Sequence, residues 1–320
     1  MEQVDVLDRL FTQSVTALID EGLVSLADIA VDGTKVRASA SKGSFRGGGK
    51  LLEIEAARRA APGRTQGGGC ERSGCLDAPR PGGARPSGAG GEGPRREGGR
   101  AALDRLNAER KERRKTHPKD EARKSERKAS LSDPDARAMR SPDGAFHSGY
   151  NAKIAAPPGE GVIVSIDMTD RRNDAGLATP MVDDIARRYG RTPDRLLVDT
   201  NYATGDEIAA LAGHAAGPVQ VYTPPPAERD DVKPATLKWR ERRRALEPDS
   251  VRAWRARMAS KAGQAVYALR KRIERINADR KNHGFGFIPV RGLIKAKAVA
   301  LWHALANNIM AAHRLRAKAA

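Results

Sequence analysis

The sequence predicts an α/β fold, a mixed sheet flanked by helices and interrupted by a charged insertion. Three observations predict it. Short runs rich in β-branched residues alternate with amphipathic runs of helical period. A stretch from Ala61 to Arg100 breaks that pattern with 13 glycines and 5 prolines. The pattern then resumes and continues to the C-terminal region.

The elements can be read in order. Leu7, Leu10, Phe11, Val15, Leu18 and Ile19 recur at helical spacing and stop at Glu21-Gly22. A β-like run from Leu26 to Val31 follows and ends on Asp32, with Gly33 read as a turn glycine. Leu51 to Arg59 begins a charged helix and Ala101 to Arg114 resumes it. Between them, Leu76 is the only large aliphatic residue of the glycine-rich stretch, too little to offset the entropy of ordering it. Residues 51–130 are therefore expected to be a largely disordered insertion, either a natural linker or a segment read out of frame from a GC-rich gene. From Ala101 to Ala129 there are 11 Lys/Arg against 6 Asp/Glu, an exposed helix or basic arm.

Order is expected again from about residue 131. Tyr150 to Ala155 and Val162 to Thr169 read as strands joined by the turn Pro157-Pro158-Gly159-Glu160-Gly161, a hairpin beside the Asp32 strand. Leu177, Met181, Val182, Ile185 and Tyr189 mark a helix, with Asp174 placed to cap it. Then come the strand ending at Asp199, a helix around Glu207 to Ala212, and a strand at Val219 to Tyr222. A polar insert occupies residues 224–262 and holds Trp239 and Trp254. Ile294, Ala298, Leu301, Leu305 and Ile309 are expected to pack a closing helix on the sheet. Three antiparallel strands, a helix, a strand, a helix and a strand form the order of a ribonuclease H-like fold.

Composition narrows the class of partner. The 320-residue chain carries a formal charge of +18 and a pI near 10.3, which calls for a polyanion. Between Thr236 and Lys281 stand 15 Lys/Arg against 5 Asp/Glu, so the excess gathers on one segment. No apolar run reaches membrane length and no basic start precedes one, so no membrane partner is expected and the protein is read as cytoplasmic. Cys70 and Cys75 lack a second pair or a nearby histidine, and no zinc site is read from them.

The chemistry lies in a spacing. Tyr267, Arg270, Glu274 and Lys281 stand at offsets that an α-helix gathers within about 60° of one another. A carboxylate framed by cations on one stripe suits a metal ion and a phosphate. An ordinary i,i+4 pair of Glu274 with Arg270, or a neighbouring pair with Lys271, is the structural alternative. Two upstream segments, Ala30-Val31-Asp32-Gly33-Thr34-Lys35 and Leu196-Leu197-Val198-Asp199-Thr200-Asn201-Tyr202, each end a β-like run on an acid. Turn closure is the alternative for these two acids.

With Arg291-Gly292-Leu293 and the tail Ala300-Leu301-Trp302-His303-Ala304-Leu305-Ala306-Asn307-Asn308, these motifs resemble the Tyr-Arg-Glu-Lys group of bacterial insertion-sequence DDE transposases. The resemblance covers roughly residues 1–55 and 130–315. It implies Asp32, Asp199 and Glu274 as catalytic ligands of Mg²⁺ or Mn²⁺, and Tyr267, Arg270 and Lys281 as groups that hold DNA phosphates. It also implies base stacking by Trp239 or Trp254, against the alternative that each caps a local helix. The activity implied is cutting element ends and joining their 3′ ends to target DNA, by a homodimer associated with the nucleoid. Relatives place a helical end-binding domain before the first strand, so a truncated copy is expected here. The alternatives are a nuclease that hydrolyses without joining and a catalytically silent DNA-binding remnant.

Overall fold

The computed structural model describes residues 2–50, 52–53, 56, 92–116, 127–140, 144–200, 202–226 and 234–320. Cys70, Cys75, Leu76 and most of the glycine-rich stretch lie outside them. The described chain divides into two compact units, Met1–Ser39 with Ala136–Ala320, and Ala40–Asp135.

The larger unit is a mixed sheet with helices. Helix α1 (Glu2–Asp20) buries Leu7, Phe11, Val15 and Leu18, the stripe its periodicity marks. Strand β1 (Asp28–Ala38) is longer than the sequence suggests. It runs through Asp32 and Gly33 rather than ending there, so Gly33 is no turn residue. A side chain at Gly33 would lie about 2.9 Å from the Tyr202 hydroxyl and 3.1 Å from the Asp174 carboxylate, and would collide with the Lys153 ammonium. Close packing explains the glycine.

Strand β4 (Arg137–Arg140) pairs with β5 (Phe146–Ala156), which runs antiparallel to β1 and to β6 (Ser165–Thr169). The chain then crosses through α3 (Ala178–Tyr189) to β7 (Arg195–Leu197) and through α4 (Gly205–Ala212) to β8 (Gln220–Tyr222), both parallel to β1. Thr204 and Glu207 close a capping box at the start of α4. Strand β9 (Phe287–Ile288) joins β1 at Arg37 and Ala38, completing seven strands among the described residues. Because β7 pairs only with Asp28 to Ala30, that edge of β1 is forked at Val31 to Val36.

Helix α9 (Leu293–Ala319) closes the unit with a face that keeps Leu301, Ala298 and Leu305 of the expected stripe but not Ile294 or Ile309. Ala296, Ala300, Leu301, Ala304, Asn307, Asn308 and Ala311 are buried, whereas Ile294 and Ile309 are exposed. Small residues let the helix approach closely, and Asn308 then bonds both the N–H and the C=O of Ile163, at 2.8 and 2.7 Å. Arg188 on α3 binds α1: its side chain is fully buried and reaches Asp8, Thr12 and Asp184.

The smaller unit contains α2 (Glu92–Thr116) and the pair β2 (Phe45–Arg46) with β3 (Ala129–Ser130). Helix α2 corrects the expectation for Glu92 to Arg100, which are helical. Gly98 and Gly99 are accommodated because a Cβ there would meet Pro134 at 3.0 Å and Leu131 at 2.9 Å. Ala102, Leu103, Ala129 and Leu131 pack beside them. No helix among the described residues is long and apolar enough to cross a membrane.

Candidate active site

Asp32 sits mid-strand on β1 and Asp199 lies two residues past the end of β7. Strand β7 pairs with β1 at Asp28 to Ala30 and parts from it before Asp32, and the charges of both acids act on the Tyr202 and Tyr267 phenols. The backbone N–H of Thr200 donates to the Asp199 carboxylate at 2.9 Å. The backbone of Asp199 is fixed in turn, since its carbonyl accepts from the Thr223 hydroxyl and the Tyr202 N–H, each at 3.0 Å. Turn closure is thus part of what Asp199 does, but not of what Asp32 does.

The Tyr-Arg-Glu-Lys register is not one continuous α-helix. Tyr267 lies in the last turn of α7 (Lys261–Ala268), Arg270 lies in the break, Glu274 is on α8 (Lys271–Arg280), and Lys281 opens a π-helical turn over Lys281–Phe285. At the break the N–H groups of Leu269, Arg270, Arg272 and Ile273 bond three residues back, which tightens the chain while keeping its helical direction. The tightened turn delivers Arg270 inward. Its guanidinium side chain is only 12% exposed and lies 3.0 Å from Asp32 and 3.5 Å from Glu274.

The ordinary i,i+4 pair of Glu274 with Arg270 therefore exists, and the same guanidinium carries it to Asp32. Glu274 is on the side of the helix that faces the acids, yet 61% exposed. Asn277, one turn further along α8, donates to the other Asp32 oxygen at 2.7 Å. Burial raises the Asp32 carboxyl above its usual range, against the pull of Arg270, the Gly33 N–H and Asn277. Burial likewise raises the Tyr267 phenol, which feels Arg270, Asp199, Glu274 and Asp32 together. Tyr267 is therefore a neutral hydroxyl at physiological pH. Lys281 is exposed.

Among the described residues no group of three or more His, Cys, Asp or Glu side chains stands close enough to hold a metal ion. The close set is Asp32 and Glu274, joined through Arg270, and Asp199 acts with both of them on the Tyr267 phenol. This donor set still suits a hard divalent cation. It is all oxygen, and Mg²⁺ commonly takes only one or two carboxylates, although Arg270 and Asn277 now hold both Asp32 oxygens and a metal ion would have to displace them.

The two tryptophans separate. Trp254 on α6 (Asp249–Ala259) is 4% exposed and its indole N–H donates to the Thr223 carbonyl at 3.0 Å, so it anchors the core. Trp239 on α5 (Pro234–Ala245) is exposed, with the Arg243 guanidinium 5.3 Å from its ring centre. Both border a cavity of about 390 Å³ lined also by Arg240, Arg243, Arg244 and Arg255.

Sequence reasoning missed the polar residues Asn151, Lys153, Asp174 and Tyr202, which bond to one another behind Gly33. Asp174 caps no helix: α3 starts at Ala178 with Leu177 as its cap, and the Asp174 carboxylate instead accepts from Asn151 at 2.8 Å and from Lys153. The Lys153 side chain is 2% exposed and its ammonium also donates to the Tyr202 hydroxyl at 3.2 Å. Burial holds Lys153 down to about 7, opposed by Asp32 and aided by Lys35. The one available signal was that Lys153 is the only charged residue in the run Tyr150 to Ala155.

The transposase DDE domain family matches residues 107–310, nearly two thirds of the chain. The chain belongs to this family. The matched span includes Asp199 and the whole of the Tyr267 to Lys281 register, while Asp32 lies upstream of it. No curated protein and no solved structure matches the chain.

Proposed function

We propose that this chain is an insertion-sequence transposase of the Tyr-Arg-Glu-Lys group, with a ribonuclease H-like catalytic domain that cuts element ends and joins them to target DNA. The observation that carries the reading is the single guanidinium of Arg270 shared by Asp32 and Glu274 across 238 and 4 residues of sequence, with Asp199 on the turn that follows the neighbouring strand β7. The strand order β6-β5-β1-β7-β8, two antiparallel junctions followed by two parallel ones, supports the fold assignment. In open sheets with parallel strands, sites form beyond the carboxyl ends of those strands, where Asp199 lies.

Asp32, Asp199 and Glu274 are the residues that would hold Mg²⁺ or Mn²⁺. Such ions, when bound, stabilise the attacking and leaving oxygens of an in-line displacement. In the first step a water oxygen bonds to phosphorus, the P–O3′ bond breaks, and the 3′ oxygen leaves as a hydroxyl. In the second, that 3′ hydroxyl bonds to a target phosphorus and displaces the target's own 3′ oxygen, which takes up the proton. One phosphodiester is exchanged for another, and no protein nucleophile is needed.

Arg270 offers a planar fork for a phosphate and Lys281 a point charge. The neutral Tyr267 hydroxyl donates a hydrogen bond to the DNA backbone. Trp239, with Arg243 beside its ring, is the surface on which an unstacked base would rest. DNA is the partner, and two copies would act together on the two ends of an element.

The test is cleavage and strand transfer on labelled element-end duplexes with Mg²⁺ or Mn²⁺. Wild type should nick and join; Asp32→Ala, Asp199→Ala and Glu274→Ala should each remove both activities while leaving DNA binding. Retained cleavage in any of the three would overturn the assignment of that residue. Hydrolysis without joining of precut ends would favour a nuclease.

A further inference from the structure

We infer that Lys153 is a positioning residue of the catalytic site, tying the Asp199 turn to the Asp32 strand through Tyr202. The inference rests on the functional reading above and adds a component to it. Lys153 stands directly across the β1–β5 ladder from Gly33, next to Asp32. The space left by the missing Gly33 side chain admits its ammonium, which reaches Asp174 on one side and the Tyr202 hydroxyl on the other. The same ammonium lies 4.8 Å from the centre of the Tyr202 ring.

Tyr202 is the link to the second acid. Its N–H donates to the Asp199 carbonyl at 3.0 Å and its own carbonyl accepts from the Gly176 N–H at 3.3 Å. The residue is 1% exposed, so its ring cannot shift without opening the core. One buried cation thus joins three pieces of chain: the β1–β5 pair, the loop holding Asp174, and the turn holding Asp199. A lysine used only to neutralise Asp174 would need neither the tyrosine nor the glycine. Asp174 is partly exposed and could be solvated by water at far less cost than burying an ammonium.

The experiment separates position from charge balance. Lys153→Met keeps length but leaves Asp174 without its cation, so Lys153→Met/Asp174→Asn is made beside it to remove both charges. Thermal melting, single-turnover cleavage and Mn²⁺ binding to the DNA-free protein by calorimetry are measured for each. The double variant should melt near wild type. Its cleavage rate and its Mn²⁺ affinity should each fall about tenfold to a hundredfold, with the half-saturating DNA concentration unchanged, as when the supports of metal ligands are removed. A folded double variant with wild-type rate and Mn²⁺ affinity overturns the inference, since Lys153 would then serve only Asp174. Should the double variant not fold, Tyr202→Phe decides: it removes only the hydroxyl, and an unchanged rate and Mn²⁺ affinity overturn the inference. A wild-type protein that binds Mn²⁺ but cuts no DNA would defeat the functional reading, and the Mn²⁺ isotherms would still decide the role of Lys153.

Discussion

Arg188 and Arg270 are buried arginines that each bridge two acids from distant parts of the chain, and they are finished differently; the exposed Arg187 spans the same two acids as Arg188. Arg188 is fully buried, and every nitrogen of its guanidinium has an oxygen partner: Nε reaches Asp184, Nη1 Thr12 and the Asp8 carbonyl, and Nη2 the Asp8 carboxylate. Arg270 is nearly as buried, yet its Nε has no partner among the described residues and one of its acids is mostly in solvent. Asn277, beside it, also keeps a buried carbonyl oxygen without a partner. A satisfied network holds a fold still. An under-satisfied one holds groups ready for a partner that arrives later.

The largest expected effect comes from breaking the satisfied network. Arg188→Met should destabilise the protein by about 3 kcal/mol, because Asp8 and Asp184 would keep only the exposed Arg187 as a counter-ion. Chemical denaturation measures this. A loss below about 1 kcal/mol, the range of an exposed pair, would erase the contrast.

Arg270→Gln should do the reverse. Stability should change little, while cleavage should fall about a hundredfold, as when a preorganised charge donor is removed from a reacting phosphate. A variant that unfolds instead would make Arg270 a second Arg188.

Acid sharpens the comparison without any substitution. Burial raises Asp184, but Arg188, Ser165 and Arg187 together bring it below its usual value, so its stabilising contribution is complete above the unfolded value near 4 and is lost as pH falls through the lower folded value. Asp32 has the opposite sign: its folded value is raised, so its charge opposes folding at neutral pH and the opposition fades in acid. Hydrogen exchange below about pH 4 should therefore rise in α1 and α3 before it rises in β1. For the same reason Asp32→Asn should raise the melting temperature while abolishing cleavage. A fall in melting temperature would mean that the carboxylate supports the fold more than burial penalises it.

The smallest effect is at the rim. Lys281→Ala should reduce the slope of DNA affinity against salt by about one counterion while leaving affinity at low salt within a few-fold. An unchanged slope would remove Lys281 from the DNA contact.

The larger elements were legible because their patterns are local. The hairpin, the helix ending in Tyr189 and the Asp199 strand follow from periodicity and turn residues that neighbours in sequence dictate. Features decided by distant partners were not. Gly33 reads as a turn until Lys153 is seen opposite it, and Asp174 reads as a cap until Asn151 and Lys153 claim its carboxylate. The closing helix misled for another reason: apart from Leu301 its buried face is alanine and asparagine, which carry little hydropathy, while Ile294 and Ile309 face outward. Tyr267 to Lys281 was readable as a register but not as a broken one, since no proline or paired glycine marks the tightened turn at Arg270.

The fork in the edge of β1 decides which main-chain groups the first acid can use. Arg37 donates its N–H to Gly286 on that edge, and by alternation the N–H of Gly33 faces the same way. A continuous ladder would spend that amide on a neighbouring strand. In the gap it turns to the Asp32 carboxylate and helps to keep it ionised. The sheet is thus left unzipped for one short interval, and the hydrogen-bonding capacity released there steadies an anion where a seamless sheet would have had none to offer.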